Sequence, residues 1–204
     1  MATDQSKATH SAYLELKEER LGLQEGYRFL DEKRLILAGE ILAQLARYEE
    51  EMAALGERYQ RAGEHLATAV ARHGLEGLSV YPPLTGVCAT PATRSRSVLG
   101  VVLHELEPAA GPAAPEADAS PVDPSPEAQA CRDAFAALLP HAARLAILTG
   151  NLERLRYEYT KTARRARALE DVLLPEIDAS LASIATALEE LEREEIVRVR
   201  QLRR

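Results

Sequence analysis

Apolar residues recur every three or four positions along two long stretches of this chain. The first runs Tyr13, Leu16, Leu23, Tyr27, Leu30, Leu37 and Ile41, with Arg20 and Arg34 holding two places in the same alternation. It continues as Leu45, Tyr48, Met52, Leu55, Tyr59, Ala62, Leu66 and Ala69. Alternating steps of three and four align one narrow stripe along a helix, the pattern of a coiled-coil seam. Steps of four at Leu37, Ile41 and Leu45 predict a stutter that locally unwinds a left-handed supercoil. The second stretch reads Leu145, Leu148, Leu152, Leu155, Tyr159, Thr162, Ala166, Leu169 and Leu173, then Ile177, Leu181, Ile184, Leu188 and Leu191. Long helices are therefore expected over residues 8–73 and 141–203. At about 1.5 Å of rise per residue, each would be a rod of about 100 Å.

Proline divides the two stretches. Residues 1–81 contain none, and nine of the eleven prolines lie between Pro82 and Pro126. Proline removes a backbone donor and clashes inside a helix, so the middle is expected to be non-helical. Within a 79–106 hairpin region, SVYPPLTGV (79–87) and SVLGVVLHE (97–105) read as strands of a short β-hairpin around ATPATRSR. The Pro/Ala-rich stretch 107–126 has the composition of a disordered insert. Ser125, Pro126 and Glu127 read as an N-cap, a first-turn proline and a first-turn acid. They should open a short helix over 127–139 that Pro140 breaks or re-aims. The expected fold is mainly α: a single domain in which the N- and C-terminal helices form a long antiparallel two-helix coiled coil, with a small middle region containing a short β-hairpin. A parallel homodimer of each helix is the other way to cover the seams.

If the two helices match end to end, Arg20 falls opposite Glu192 and Arg34 opposite Asp178. Such pairs would fix register more than they add stability. Pro175, inside ALEDVLLPEID, frees the carbonyl of Asp171 and is expected to bend the second helix.

Composition sharpens this picture. Ala, Glu, Lys, Leu and Arg supply 115 of 204 residues, with no Trp and two Phe, so a thin seam is expected in place of a thick core. A net charge of −7 has the wrong sign for a general nucleic-acid binder. Cys88 and Cys131 have no CxxC spacing, and the five histidines make no metal-ligand pattern. Cys88 with His104 is the one nucleophile–base pairing the sequence offers, and a small apolar role is the simpler reading of a lone cysteine. No apolar run approaches the length of a membrane span, and MATDQSKATH has no apolar leader core, so a cytoplasmic protein is expected. Lys161, Arg164, Arg165 and Arg167 crowd one and a half helical turns, which suits an acidic surface either on a partner or elsewhere in this chain. Arg198, Arg200, Arg203 and Arg204 complement the end of a helix dipole.

Three separated blocks carry a family resemblance. YLELKEERLGLQEGYRFLDEKRLILAGEI, SVLGVVLHELE and YTKTARRARALEDVLLPEI resemble the D subunit of the V-type rotary ATPases, in that order along the chain. The shared features include Gly26-Tyr27, Leu30, Glu32-Lys33-Arg34, Arg164-Arg165, Ala168-Leu169-Glu170 and Pro175. Departures are Lys7-Ala8-Thr9-His10 where the family often has Pro-Thr-Lys, Arg167 where an Asn is common, and the 107–126 insert. The resemblance implies a non-catalytic central-stalk rotor with no cofactor and no small-molecule substrate of its own. Its partners would be catalytic A and non-catalytic B subunits, the F subunit, and the membrane-side component that couples the shaft to the ion-translocating ring. It would sit in the cytoplasm, peripheral to the membrane, with no nucleic acid bound and no direct membrane insertion. The seam that transmits torque would be Leu16, Leu23, Leu30, Leu37 and Ile41 against Leu169, Leu173, Ile177, Leu181, Ile184 and Leu188. Gly22 and Gly26 would allow close helix approach. A coiled-coil scaffold or adaptor without a rotary role shares this fold and differs only in partners.

Overall fold

The computed structural model describes residues 9–81, 92–107 and 124–203. In order along the chain come α1 (His10–Ser79), β1 (Thr93–Val98), β2 (Val101–Leu106), α2 (Pro126–Ala168), a π-helical turn (Leu169–Leu173) and α3 (Leu174–Leu202). Two long helical stretches pack together and a two-stranded antiparallel sheet lies between them in sequence. The chain divides into two compact units, one of residues 1–36 with 159–204 and one of residues 37–158.

The first unit is a helix pair. Leu16, Leu23 and Leu30 of α1 are half-buried, and Thr162, Ala166, Ile177 and Ile184 are buried on the opposing arm of the coil. Leu169, Leu181 and Leu188 are half-buried along the same seam, but Leu173 is 41% exposed. The π-turn explains this displacement. Its wider i→i+5 bonding, seen where the Leu174 N–H bonds the Leu169 carbonyl, inserts one residue into the helical repeat. Leu174 is consequently half-buried, and Leu173 is carried outward. Pro175 follows at the start of α3 and is exposed, so its missing N–H coincides with a turn already off the α pattern.

Register also differs from the end-to-end match. Arg20 donates to Asp178 at 2.5 Å, fourteen residues from Glu192. Arg34 bonds Asp31 on its own helix at 2.6 Å. Fourteen residues are two heptads, so a seven-residue apolar repeat fits both registers equally well. Matched ends were the wrong criterion, because every residue from Glu189 to Arg203 is exposed. The glycine expectation fails too: a Cβ on Gly22 would meet nothing within 4 Å, and one on Gly26 would sit 4.0 Å from Leu169.

The second unit has more interior. Leu37, Leu103 and Leu155 are fully buried, with Ala62, Ala69, Ala128, Cys131, Leu138 and Leu145 around them. α1 keeps its alternation through Leu37, Ile41, Gln44, Tyr48, Glu51 and Leu55, with no stutter. Gln44 and Glu51 take inward places expected for Leu45 and Met52. The long run of α1 breaks at Gly74, whose φ of 66° and ψ of 169° favour a residue without a Cβ. α2 opens as the sequence indicates, with the Ser125 hydroxyl accepting from the Ala128 N–H at 3.1 Å. Pro140 does not end it. This proline is exposed within α2, where water can satisfy the carbonyl it frees.

The hairpin forms from different residues than expected. β1 occupies the TRSR segment taken as the loop, and the turn is Leu99-Gly100 with φ of 48° and 88°. Positive φ at both central positions marks a type I′ turn. The polar alternation of TRSRS hides a strand from an apolar criterion. The insert and Cys88 lie outside the described residues, apart from the ends of the expected insert.

Candidate functional site

Within the second unit the hairpin buries Val101 and Leu103 and is also tied down by polar contacts. Arg96 on β1 pairs with Glu40 of α1 and, through Nε at 2.8 Å, with Glu105 of β2. Gln44 Nε2 donates to the same Glu40 carboxylate at 2.8 Å. Burial pushes the Glu40 carboxyl up, but the hydrogen bonds from Gln44 and Arg96 outweigh it and leave the pKa below its ordinary value. On the other side, the Asn151 amide of α2 bridges the backbone of His104, accepting from its N–H at 2.9 Å and donating to its carbonyl at 2.7 Å. Asn151 is 1% exposed, so this bridge is shielded from water. Further along, Glu51 takes His141 Nδ1 at 2.9 Å and Arg144 at 3.4 Å. The His141 hydrogen bond is the main reason that the Glu51 carboxyl is held down.

Beside these contacts runs an apolar row that is exposed among the described residues. Leu45, Met52, Tyr59 and Leu66 lie at heptad spacing on α1 and are 39%, 46%, 65% and 39% exposed. Gly56 sits one helical turn from both Met52 and Tyr59, and Gly63 one turn from both Tyr59 and Leu66. A Cβ at either glycine would meet nothing within 4 Å. Each glycine costs about 1 kcal/mol relative to alanine in a helix interior, and no described residue comes close enough to either position to require it. Together the row and the two bare positions form an exposed apolar stripe with open space at its glycines.

In the helix pair, Lys161, Arg164, Arg165 and Arg167 are all exposed. Among the described residues, no carboxylate forms an ion pair with any of them. The exposed end of α3 carries Leu191, Ile196, Val197, Val199 and Leu202 alongside Arg193, Arg198, Arg200 and Arg203.

The described residues gather no three His, Cys, Asp or Glu side chains able to hold a metal ion, and no described helix is long and apolar enough to cross a membrane. Cys131 is buried, and that burial raises its thiol pKa. Sequence reasoning missed Glu40, Arg96, Asn151 and the exposed row. Gln44 and Glu51 were invisible to it because they are polar residues in seam positions. Gly56 and Gly63 beside Met52, Tyr59 and Leu66 were the available signal for the outward face.

A helix pair in one unit, and in the other an anchored hairpin beside an exposed apolar row, are features that suit a component of a larger assembly. The particular assembly follows from comparison: residues 12–204 match the family of ATP synthase D subunits, and the chain belongs to that family. It is similar to the V-type ATP synthase D subunit of Anaeromyxobacter dehalogenans, at 34% identity over 96% of this chain and 94% of that one. It is 29% identical to the A-type ATP synthase D subunit of Methanoregula boonei, over 100% of this chain and 98% of the relative. The V-type ATP synthase D subunit of Thermotoga neapolitana is 27% identical over 96% of this chain and 95% of its own. The protein is thus a component of a rotary ATPase and works in a complex with other subunits.

Proposed function

We propose that this chain is the central rotor shaft of its complex, transmitting torque between ATP turnover in a ring of A and B subunits and ion translocation at the membrane. It carries no catalytic group of its own. The observation that supports this best is the exposed end of α3, where apolar residues alternate with arginines beyond the last buried seam position, Ile184. Such an end suits a bearing: apolar side chains give loose contact, and the arginines stay solvated as neighbours change. Lys161, Arg164, Arg165 and Arg167 would meet acidic surfaces of the ring. The stripe along Leu45, Met52, Tyr59 and Leu66 would seat a helix of the F subunit, with Gly56 and Gly63 allowing close approach. The membrane-side coupling component would complete the stalk.

The test is a gentle pull-down of the tagged chain from its own host. Recovery of A, B and F subunits with one copy of this chain per ring is expected. Tyr59→Glu should release the F subunit and leave A and B bound. Recovery of the chain alone, or with unrelated partners, would replace the shaft by a coiled-coil scaffold.

A further inference from the structure

The two outer edges of the hairpin are treated differently. On β2, the main-chain N–H and C=O of His104 point away from β1 and are both taken by the buried Asn151 amide, which stands in for a third strand. Antiparallel pairs alternate between residues that bond each other and residues that turn their N–H and C=O outward. Ser95 lies opposite His104 in the register, so Thr93, Ser95 and Ser97 turn their main-chain groups outward from β1. The bond from the Glu107 N–H to the Ala92 carbonyl at 2.9 Å falls in the same alternation. Among the described residues, nothing bonds those outward groups, and all three residues are exposed.

An open strand edge is a template for pairing, and proteins commonly blunt it with lysine, proline, a bulge or a cover. β1 has no proline, lysine or bulge between Thr93 and Val98. Its two charges behave differently. Arg96 is held inward by Glu40 and across the sheet by Glu105. Arg94, on the same face of the strand, is exposed and makes no ion pair with any described residue.

We propose that the free edge of β1 is a strand-addition site for an extended segment of another polypeptide, running antiparallel and placing a carboxylate opposite Arg94. Thr93, Ser95 and Ser97 would supply the main-chain bonds. Arg94 would fall in a non-bonded pair, where facing side chains approach most closely and charge selects the partner. A second copy of this chain fits poorly, because β1 against β1 would bring the Arg94 residues of two copies near each other. The proposal rests on the shaft reading only for the source of the segment, another subunit of the complex.

The test is residue-resolved amide hydrogen exchange on the full chain, alone and in the complex recovered from its host. The Ser95 and Ser97 amides are expected to exchange about tenfold or more slowly in the complex than in the dilute isolated chain. Arg94→Glu should abolish most of that difference. Ser95→Pro removes one outward donor and spares every β1–β2 bond, so it should lose the donating partner from the complex. Equal exchange in both states, with ring subunits recovered, overturns strand addition and leaves the shaft intact. Protection already present in the dilute isolated chain, or growing with its concentration, assigns the edge to this chain itself and also overturns the proposal. Failure to recover any ring subunit removes the shaft reading and the proposed donor together.

Discussion

The helix pair and the body of residues 37–158 are built on opposite principles. In the pair, Thr162, Ala166, Ile177 and Ile184 are the buried residues among those described, and one of them is polar. The body buries Leu37, Leu103 and Leu155 completely and fixes its hairpin through Glu40, Arg96 and Asn151. A thin seam leaves the charged outer faces of a coil free to slide against changing neighbours. A thicker interior with directional polar links holds surfaces still, which is what fixed attachment requires. Under the proposed shaft reading, the contrast would separate the part that moves within a bearing from the part that holds partners.

Core truncation should give the largest difference between the two. Leu103→Ala is expected to cost about 3–4 kcal/mol, whereas Ile184→Ala should fall near about 2 kcal/mol because a thin seam can collapse around the loss. Urea unfolding of both variants measures this, and equal costs would erase the contrast. Next comes the hairpin bridge. Asn151→Ala leaves the N–H and C=O of His104 without partners and should cost about 2 kcal/mol. Exchange of the β2 amides should rise selectively, with α3 unaffected.

Acid should act on the body. The Glu40 and Glu51 carboxyls are both held below the ordinary value of 4.5. Groups depressed in the folded state contribute stability that is complete above their unfolded pKa and is lost as pH falls through the folded one. Melting temperatures followed downward from neutral pH should therefore drop below about pH 4.5, and Glu40→Gln should flatten that drop. An unchanged acid limb in this variant would show that the Arg96–Glu40 link does not titrate with folding.

Two smaller effects concern the helix pair. Gly22→Ala should stabilise by about 0.5–1 kcal/mol, since the helix gains propensity and the new methyl meets open space. Destabilisation would mean that close approach at Gly22 is needed after all. Register is the finest point. Arg20 and Asp178 are 37% and 52% exposed, so a charge-swap cycle between them should show coupling of only about 0.3–1 kcal/mol. A cycle between Arg34 and Asp178 should show none.

The sequence made the two long helices, their antiparallel pairing and the opening of α2 at Ser125 legible, because periodicity and capping are local signals. Register was not legible, since Asp178 and Glu192 stand two heptads apart and present the same apolar pattern. The inward places of Gln44 and Glu51 were hidden for a related reason: periodicity counts apolar residues, whereas Gln44 bonds Glu40 on its own helix and Glu51 pairs with His141 and Arg144 of α2. β1 was hidden because Arg94 and Arg96 alternate with serines, so neither face reads as apolar. The basic cluster at Lys161, Arg164, Arg165 and Arg167 was visible by charge alone, while Asn151 depends on meeting a strand 47 residues away in sequence.

The shaft itself is tested most directly by watching it turn. A bead fixed to this chain, in the complex with its A/B ring anchored to a surface, should rotate continuously in one direction when ATP is added. ATP hydrolysis at a normal rate with the bead stationary would contradict the assignment of this chain as the rotor.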